Sequence, residues 1–485
     1  MKFLRGVLSV GAAVVAMGVG DCARGNAVAV TNLALLNASN GFAEVHFDLS
    51  WSNSWYTSWT DNGGATFVTN WDAVWVQAKQ RVSGGDWGPV YFATSNNFIT
   101  GNYAISVGTN GGGTNVGAMI YRTVPGIGGV SLTNIILNWS YASGGLYGTN
   151  QVDVALFATE MVYIPDGAFY VGDGTPGGGG GQFYAWPSTN QPFLITNENA
   201  IALGATTGGM NWISSGYDGV AAGTLSNAFP KGFHGFYSMK YEISQQQYAD
   251  FLNHISAGRA LNRYIGNFGT ARQSITFTNG AYVALAPDRA ANYIGWDDLC
   301  IYLDWAGLRP LTELEFEKMC RGFKAPVIGE LSFGDITPVY ATSSFIGTDG
   351  SGTETVATAS ANIIGNSAGV PGPLRVGIFA TNGSTRVSSG AGYFGNMELS
   401  GNVSEQCVSA GDIVGRSFNG ENGDGNPALQ PASWPPLVGT GVGTGMRGGG
   451  FNDSLVWYQT SYRYYGDYLP ARSSYIGGRG GRTAP

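Results

Sequence analysis

Alternation of apolar and polar residues dominates the first third of this chain. It shows in AEVHFDLSW (43–51), AVWVQAKQRV (73–82), NIILNWSY (134–141) and VDVALFATEMVYI (152–164). A period of two puts successive side chains on opposite faces of a strand. Clusters of Gly, Asn and Ser, as at 109–115, separate these runs, and no helical period intervenes. Short strands with regular turn signals predict an antiparallel sandwich-like domain over 30–160. Trp51, Trp55, Trp59, Trp71, Trp75 and Trp87 are dense here. Core and sheet-face packing accounts for them more simply than a carbohydrate-stacking face.

Near Met161 the pattern changes. MVYIPDGAFYVGDG (161–174) reads as a strand with a Pro-Asp-Gly turn. The glycine tract 177–181 lacks the spacing of a phosphate cradle and reads as a flexible loop. Helices follow. In YEISQQQYADFLNHI (241–255), Ser244 and Gln247 make a capping box, with Tyr248, Phe251, Leu252 and Ile255 on one face. A second helix is expected over 297–306, stopped by Gly307. A third runs within 311–322, capped by Thr312 and Glu315 and ended by Gly322. The carboxylates of these helices sit in first turns, where the helix dipole favours them, and read as structural. Beyond 323 the chain is again poor in helical period.

Charged residues are only 12% of the chain while Gly numbers 77, a balance that fits a loop-rich extracellular protein better than a helical cytosolic one. A net charge of −8 argues against nucleic acid as a partner. Lys2 and Arg5 precede an apolar run, 7–19, too short to span a membrane. Residues 1–29 therefore read as a signal peptide, and no later stretch reads as a transmembrane helix. Without Cys22, the cysteines left are Cys300, Cys320 and Cys407, which make no disulfide framework. His46, His234 and His254 are scattered, with no metal-binding spacing.

The last forty residues carry the densest aromatic run. Trp457, Tyr458, Tyr462, Tyr464, Tyr465, Tyr468 and Tyr475 are interleaved with Gln459, Ser461, Asp467 and Ser473. Tyr and Trp supply large rigid contact area, and Ser, Asp and Gln supply adaptable polar contacts, as in a ligand-binding surface. The same composition also suits buried aromatics at the end of a β-rich core, and sequence alone leaves both open.

An ordered series of motifs carries a family resemblance: MVYIPDGAFYVGDG (161–174), KYEISQQQYADFLN (240–253), YIGWDDLCIYLDWAGLRPLTELEFEKMCRG (293–322), ELSGNVSEQ (398–406), MRGGGFND (446–453) and YIGGRGG (475–481). The series resembles the formylglycine-generating enzyme (sulfatase-modifying factor) domain. That resemblance implies a C-type lectin-like fold over 161–485. WAGLRPLTELEFE stands for the usual W-A-G-x-R-L-P-T-E-A-E-W-E, GNVSEQ for G-N-V-W-E-W, and GGR for the closing G-F-R. The family's enzymes use a C-terminal cysteine pair that binds copper. Here residues 456–463 read VWYQTSYR, and no Cys follows Cys407. A second branch holds iron through an H-x-x-x-H-x-E run, which His254 lacks. Neither copper nor iron is expected. The domain is also similar to the variable proteins of diversity-generating retroelements, which display a hypervariable ligand-binding patch in this C-terminal stretch. The family further implies structural calcium, at Asn362 and Ile363 for one site and at Glu398, Gly401, Val403 and Glu405 for another.

The expectation is an α+β protein, secreted or surface-displayed, with a sandwich-like domain at 30–160 and a C-type lectin-like domain at 161–485. It would recognise a protein or glycan without catalysis, through the C-terminal patch. A self-associating structural protein and a residual oxidoreductase of the family stay open.

Overall fold

The computed structural model describes residues 4–7 and 28–484, apart from 62–65, 111, 366–368, 429, 438–441 and 470. The expected leader falls mostly on residues outside this set. Within it, Leu4–Val7 runs antiparallel to 151–154.

The protein is α+β, with mostly antiparallel sheets. Its first strands are β1 (Ala29–Ser39), β2 (Phe42–Asp61), β3 (Thr66–Val82), β4 (Tyr103–Thr109), β5 (Asn115–Arg122), β6 (Gly126–Ser140) and β7 (Gln151–Ile164). β2 pairs with β1 and β6, and β3 pairs with β5 and β7. The two groups join where 56–61 of β2 pairs with 66–71 of β3. Between them lies a core of Val45, Phe47, Leu49, Val74, Val76, Ile120 and Leu137.

The middle of β3, 72–79, is buried on both faces, and the period of two explains how. Val74, Val76 and Ala78 point into that first core, while Ala73 and Trp75 join a second core built from the rest of the chain. β7 continues the sheet onto β8 (Phe236–Met239), and β8 pairs with the C-terminal strand Gly481–Thr483. The sheet thus crosses the boundary expected at 160/161, because β7 runs unbroken through it. Ring contacts follow the same path. Trp71 lies 5.4 Å from Tyr56 and 3.9 Å from Tyr163, and Tyr163 lies 5.2 Å from Tyr237.

Helix α1 (Gln245–Asn253) starts at the Ser244–Gln247 capping box, and α3 (Glu313–Arg321) starts at Thr312–Glu315. Between them, α2 (Trp296–Ala306) ends at Gly307, whose φ of 67° is the left-handed geometry that favours glycine. α2 lies against β3: Trp75 Nε1 donates to the Ala306 carbonyl at 2.8 Å, and Lys79 Nζ donates to the carbonyls of Trp305 and Gly425. β9 (Ser404–Val408), β10 (Thr444–Arg447) and β11 (Ile476–Gly477) form a small sheet, with β9 pairing antiparallel to β10 and parallel to β11. Among the described residues no helix is long and apolar enough to cross a membrane.

Candidate functional site

Among the described residues the segment after β10 has no regular strand or α-helix until β11, so side chains help to hold it. Arginines do so. Arg463 donates to Glu313 twice, Nε to Oε2 and Nη2 to Oε1, both at 2.9 Å. Arg447 reaches Glu313 at 3.2 Å and Glu317 at 2.6 Å. Arg321 pairs with Glu317 and Glu330. All these groups are buried, where a charge persists only with partners. The Arg463 guanidinium also lies 4.2 Å from the Phe183 ring and 4.5 Å from that of Trp212. The carboxylates of α3, which the sequence places beside a helix dipole, thus anchor the C-terminal segment as well.

Above this base the aromatic rings meet. Trp457 stacks on Tyr465 at 4.8 Å, and Tyr462 and Tyr464 stand edge-on to Trp457 at 5.1 and 5.5 Å. Tyr468 lies 5.4 Å from Tyr465. Tyr217 completes the group, 4.8 Å from Tyr468 and 5.8 Å from Tyr465. Its backbone is tied in too: its N–H donates to the Tyr464 carbonyl at 2.7 Å, and its carbonyl accepts from Asp467 N–H at 2.8 Å. Tyr217 is 55% and Tyr468 37% exposed, while the other rings are half-buried. Nothing in the local sequence marks Tyr217 except its flanking Gly216 and Gly219. The glycines matter: a Cβ on Gly216 would come within 2.5 Å of the Tyr464 ring, and one on Gly180 within 2.3 Å of the Tyr462 ring. The tract 177–181, expected as a flexible loop, therefore packs under Tyr462, and its carbonyls accept from Arg463.

Other residues expected in the patch lie elsewhere. Tyr458 is fully buried with Leu331, Phe333 and Ile363, and its hydroxyl donates to the carbonyls of Gly450 and Asp453. Ser461 is buried too: it accepts from Arg321 Nη2 at 2.7 Å and donates to Glu317 at 3.1 Å. Both are structural, because their polar atoms are engaged inside the protein. Gln459 is half-buried, bridging Leu331 through its backbone. Asp467 is half-buried at the edge of the ring group, and burial, helped by Asp412, pushes its carboxyl up to about 7. Ser473 donates to the Ala471 carbonyl, and Tyr475 packs against the core around Phe451.

The residues tied to calcium by resemblance are engaged as well. Asn362 accepts from Val339 N–H at 2.9 Å and donates to the Val387 carbonyl at 3.0 Å. The Ile363 carbonyl accepts from Ala341 N–H. Both oxygens of Glu405 accept from Arg479, at 2.6 and 2.7 Å. Gly401 N–H donates to the Gly448 carbonyl and Val403 N–H to Glu242. Glu398 accepts from Gly377 N–H, and burial pushes its carboxyl up to about 7. The Arg479 guanidinium holds both oxygens of Glu405, so Glu405 as arranged is not free to hold a calcium ion, whereas Glu398 Oε2 has no hydrogen-bond partner. Among the described residues no three His, Cys, Asp or Glu side chains form a metal-holding group.

Cys300, Cys320 and Cys407 are unpaired and buried, and burial raises each thiol above its ordinary range. Raised thiols are protonated and unreactive. His254 is buried between the rings of Trp87 and Phe157 and is held well below its usual range, chiefly by burial. Compared with known proteins, the chain matches no family model, and no curated protein matches it.

Proposed function

We propose that this is a non-catalytic ligand-binding protein whose recognition surface is the ring group of Trp457, Tyr462, Tyr464, Tyr465 and Tyr468, with Tyr217. One observation carries the reading: these rings share mutual contacts at a surface whose backbone is pinned by the buried Arg463–Glu313 pair. A rigid base means that little side-chain freedom is lost on binding, which favours affinity. In this reading 161–485 is a C-type lectin-like domain of the formylglycine-generating-enzyme type. Support comes from three capped helices, each within a motif of the series. Raised thiols and a neutral buried histidine fit loss of the family's redox chemistry. Secretion, and diversification of the patch in the manner of retroelement variable proteins, belong to the same proposal.

The test compares the full chain with the variant Tyr217→Ala/Tyr465→Ala/Tyr468→Ala on arrays of glycans and of cell-surface proteins. Ligands kept by the native chain and lost by the variant support the reading; identical profiles reject it. Sequencing the gene's 3′ end across a population tests diversification, which requires adenine-biased variation confined to the patch.

A further inference from the structure

A cleft of about 550 Å³ opens between β2 and the 380–397 segment, and it shares no lining residue with the ring group. Its volume falls within the roughly 300–1,000 Å³ of small-molecule sites, which often form where two structural layers meet.

Trp55, Tyr241 and Tyr393 wall the cleft. Two of their polar atoms are engaged: Trp55 Nε1 donates to Asn70 Oδ1 at 2.6 Å, and the Tyr393 hydroxyl donates to Asp61. Lys240 Nζ sits 4.9 Å from the Trp55 ring and 5.3 Å from the Tyr241 ring. Its charge is matched by Glu160 at 2.8 Å. Arg386 turns Nη2 into the protein, onto the carbonyls of Cys320 and Ser332 at 2.6 and 2.7 Å. The lining thus joins these rings to the polar side chains of Asn70, Lys240 and Arg386.

The rim is different. Asn53, Thr381 and Asn382 are exposed and uncharged. Amide and hydroxyl side chains both donate and accept hydrogen bonds. A pyranose ring offers the complementary pair of surfaces: a C–H face that packs on aromatic rings, and hydroxyls that donate and accept.

We propose that this cleft binds a neutral saccharide of one or two rings. Calorimetric titration of the full chain with glucose, galactose, mannose, N-acetylglucosamine and cellobiose tests it, with tryptophan fluorescence read in parallel. At least one sugar should bind saturably and perturb the fluorescence. Asn382→Trp adds bulk at an exposed rim position, removes no buried contact, and should weaken binding by about tenfold or more. Trp55→Phe should weaken it and abolish the fluorescence change. Leu261→Ser, at an exposed position outside both the cleft and the ring group, should leave affinity unchanged. The proposal is overturned if no sugar binds saturably, or if Asn382→Trp binds as tightly as the native chain with circular dichroism showing both folded.

Discussion

Arg463 clasps Glu313 across 150 residues of sequence, with two parallel hydrogen bonds of 2.9 Å between buried groups. A two-point fork of this kind fixes orientation as well as distance. The pair is how an irregular C-terminal segment acquires a defined surface.

Removing Arg463 leaves buried Glu313 with only Arg447, at 3.2 Å, as a cationic partner; breaking a buried pair costs about 3–5 kcal/mol. Arg463→Met should therefore lower stability by about that amount in urea unfolding. Arg463→Lys keeps the charge, loses the fork, and should fall between. The double variant Arg463→Met/Glu313→Leu should cost less than the sum of its singles, since no lone charge remains. A single variant within about 0.5 kcal/mol of the native chain would mean the segment is held by other contacts.

Asp250 predicts a pH dependence. It lies on α1 with one side-chain partner, Gln246 Nε2 at 2.8 Å, and burial pushes its carboxyl up to about 7. The folded state thus holds a proton that the unfolded state releases near an ordinary carboxylate pKa of about 4. Between those values folding takes up a proton, so the contribution of Asp250 is full below about 4 and is lost as pH rises through about 7. Asp250→Asn should flatten the fall in urea midpoint between pH 5 and 8. An unchanged slope would assign the effect to other buried acids such as Glu160 and Glu398.

Calcium gives a third test. Because Arg479 occupies both oxygens of Glu405 and backbone groups occupy Asn362, melting temperatures in excess calcium and in EDTA should coincide. A ligand binding only the folded state at a hundred times its Kd would add about 2.7 kcal/mol. A calcium-dependent rise in melting temperature would show that these donors rearrange around the ion.

The helices were legible because each carries its own boundary chemistry: Ser244 with Gln247, Thr312 with Glu315, and the left-handed Gly307. The strands of 30–160 were legible through their alternation. The junction was not. β7 reads like its neighbours, and only pairing with β8 shows that it carries the sheet onward. Tyr217 was hidden for a similar reason, since its ring partners come from the other end of the chain. The glycine tract 177–181 looked unconstrained because its constraint, the Tyr462 ring, is distant in sequence.

Tyr458 and Tyr468 show the limit of reading composition, and they make the sharpest prediction. Both stand in the same aromatic run, yet Tyr458 is 0% exposed and Tyr468 37%. Tyr458→Ala opens a cavity among Leu331, Phe333 and Ile363 and leaves the carbonyls of Gly450 and Asp453 without that hydroxyl. It should cost about 3–5 kcal/mol, as large-to-small aromatic changes in cores do. Tyr458→Phe keeps the ring and should cost about 1–2 kcal/mol for the lost hydrogen bonds. Tyr468→Ala empties no core and should stay within about 0.5 kcal/mol of the native chain. Ligand binding should show the reverse order at a temperature where every variant is folded: intact in Tyr458→Phe, lost in Tyr468→Ala. Equal stability losses at 458 and 468 would contradict the burial, and equal binding would remove Tyr468 from the recognition surface.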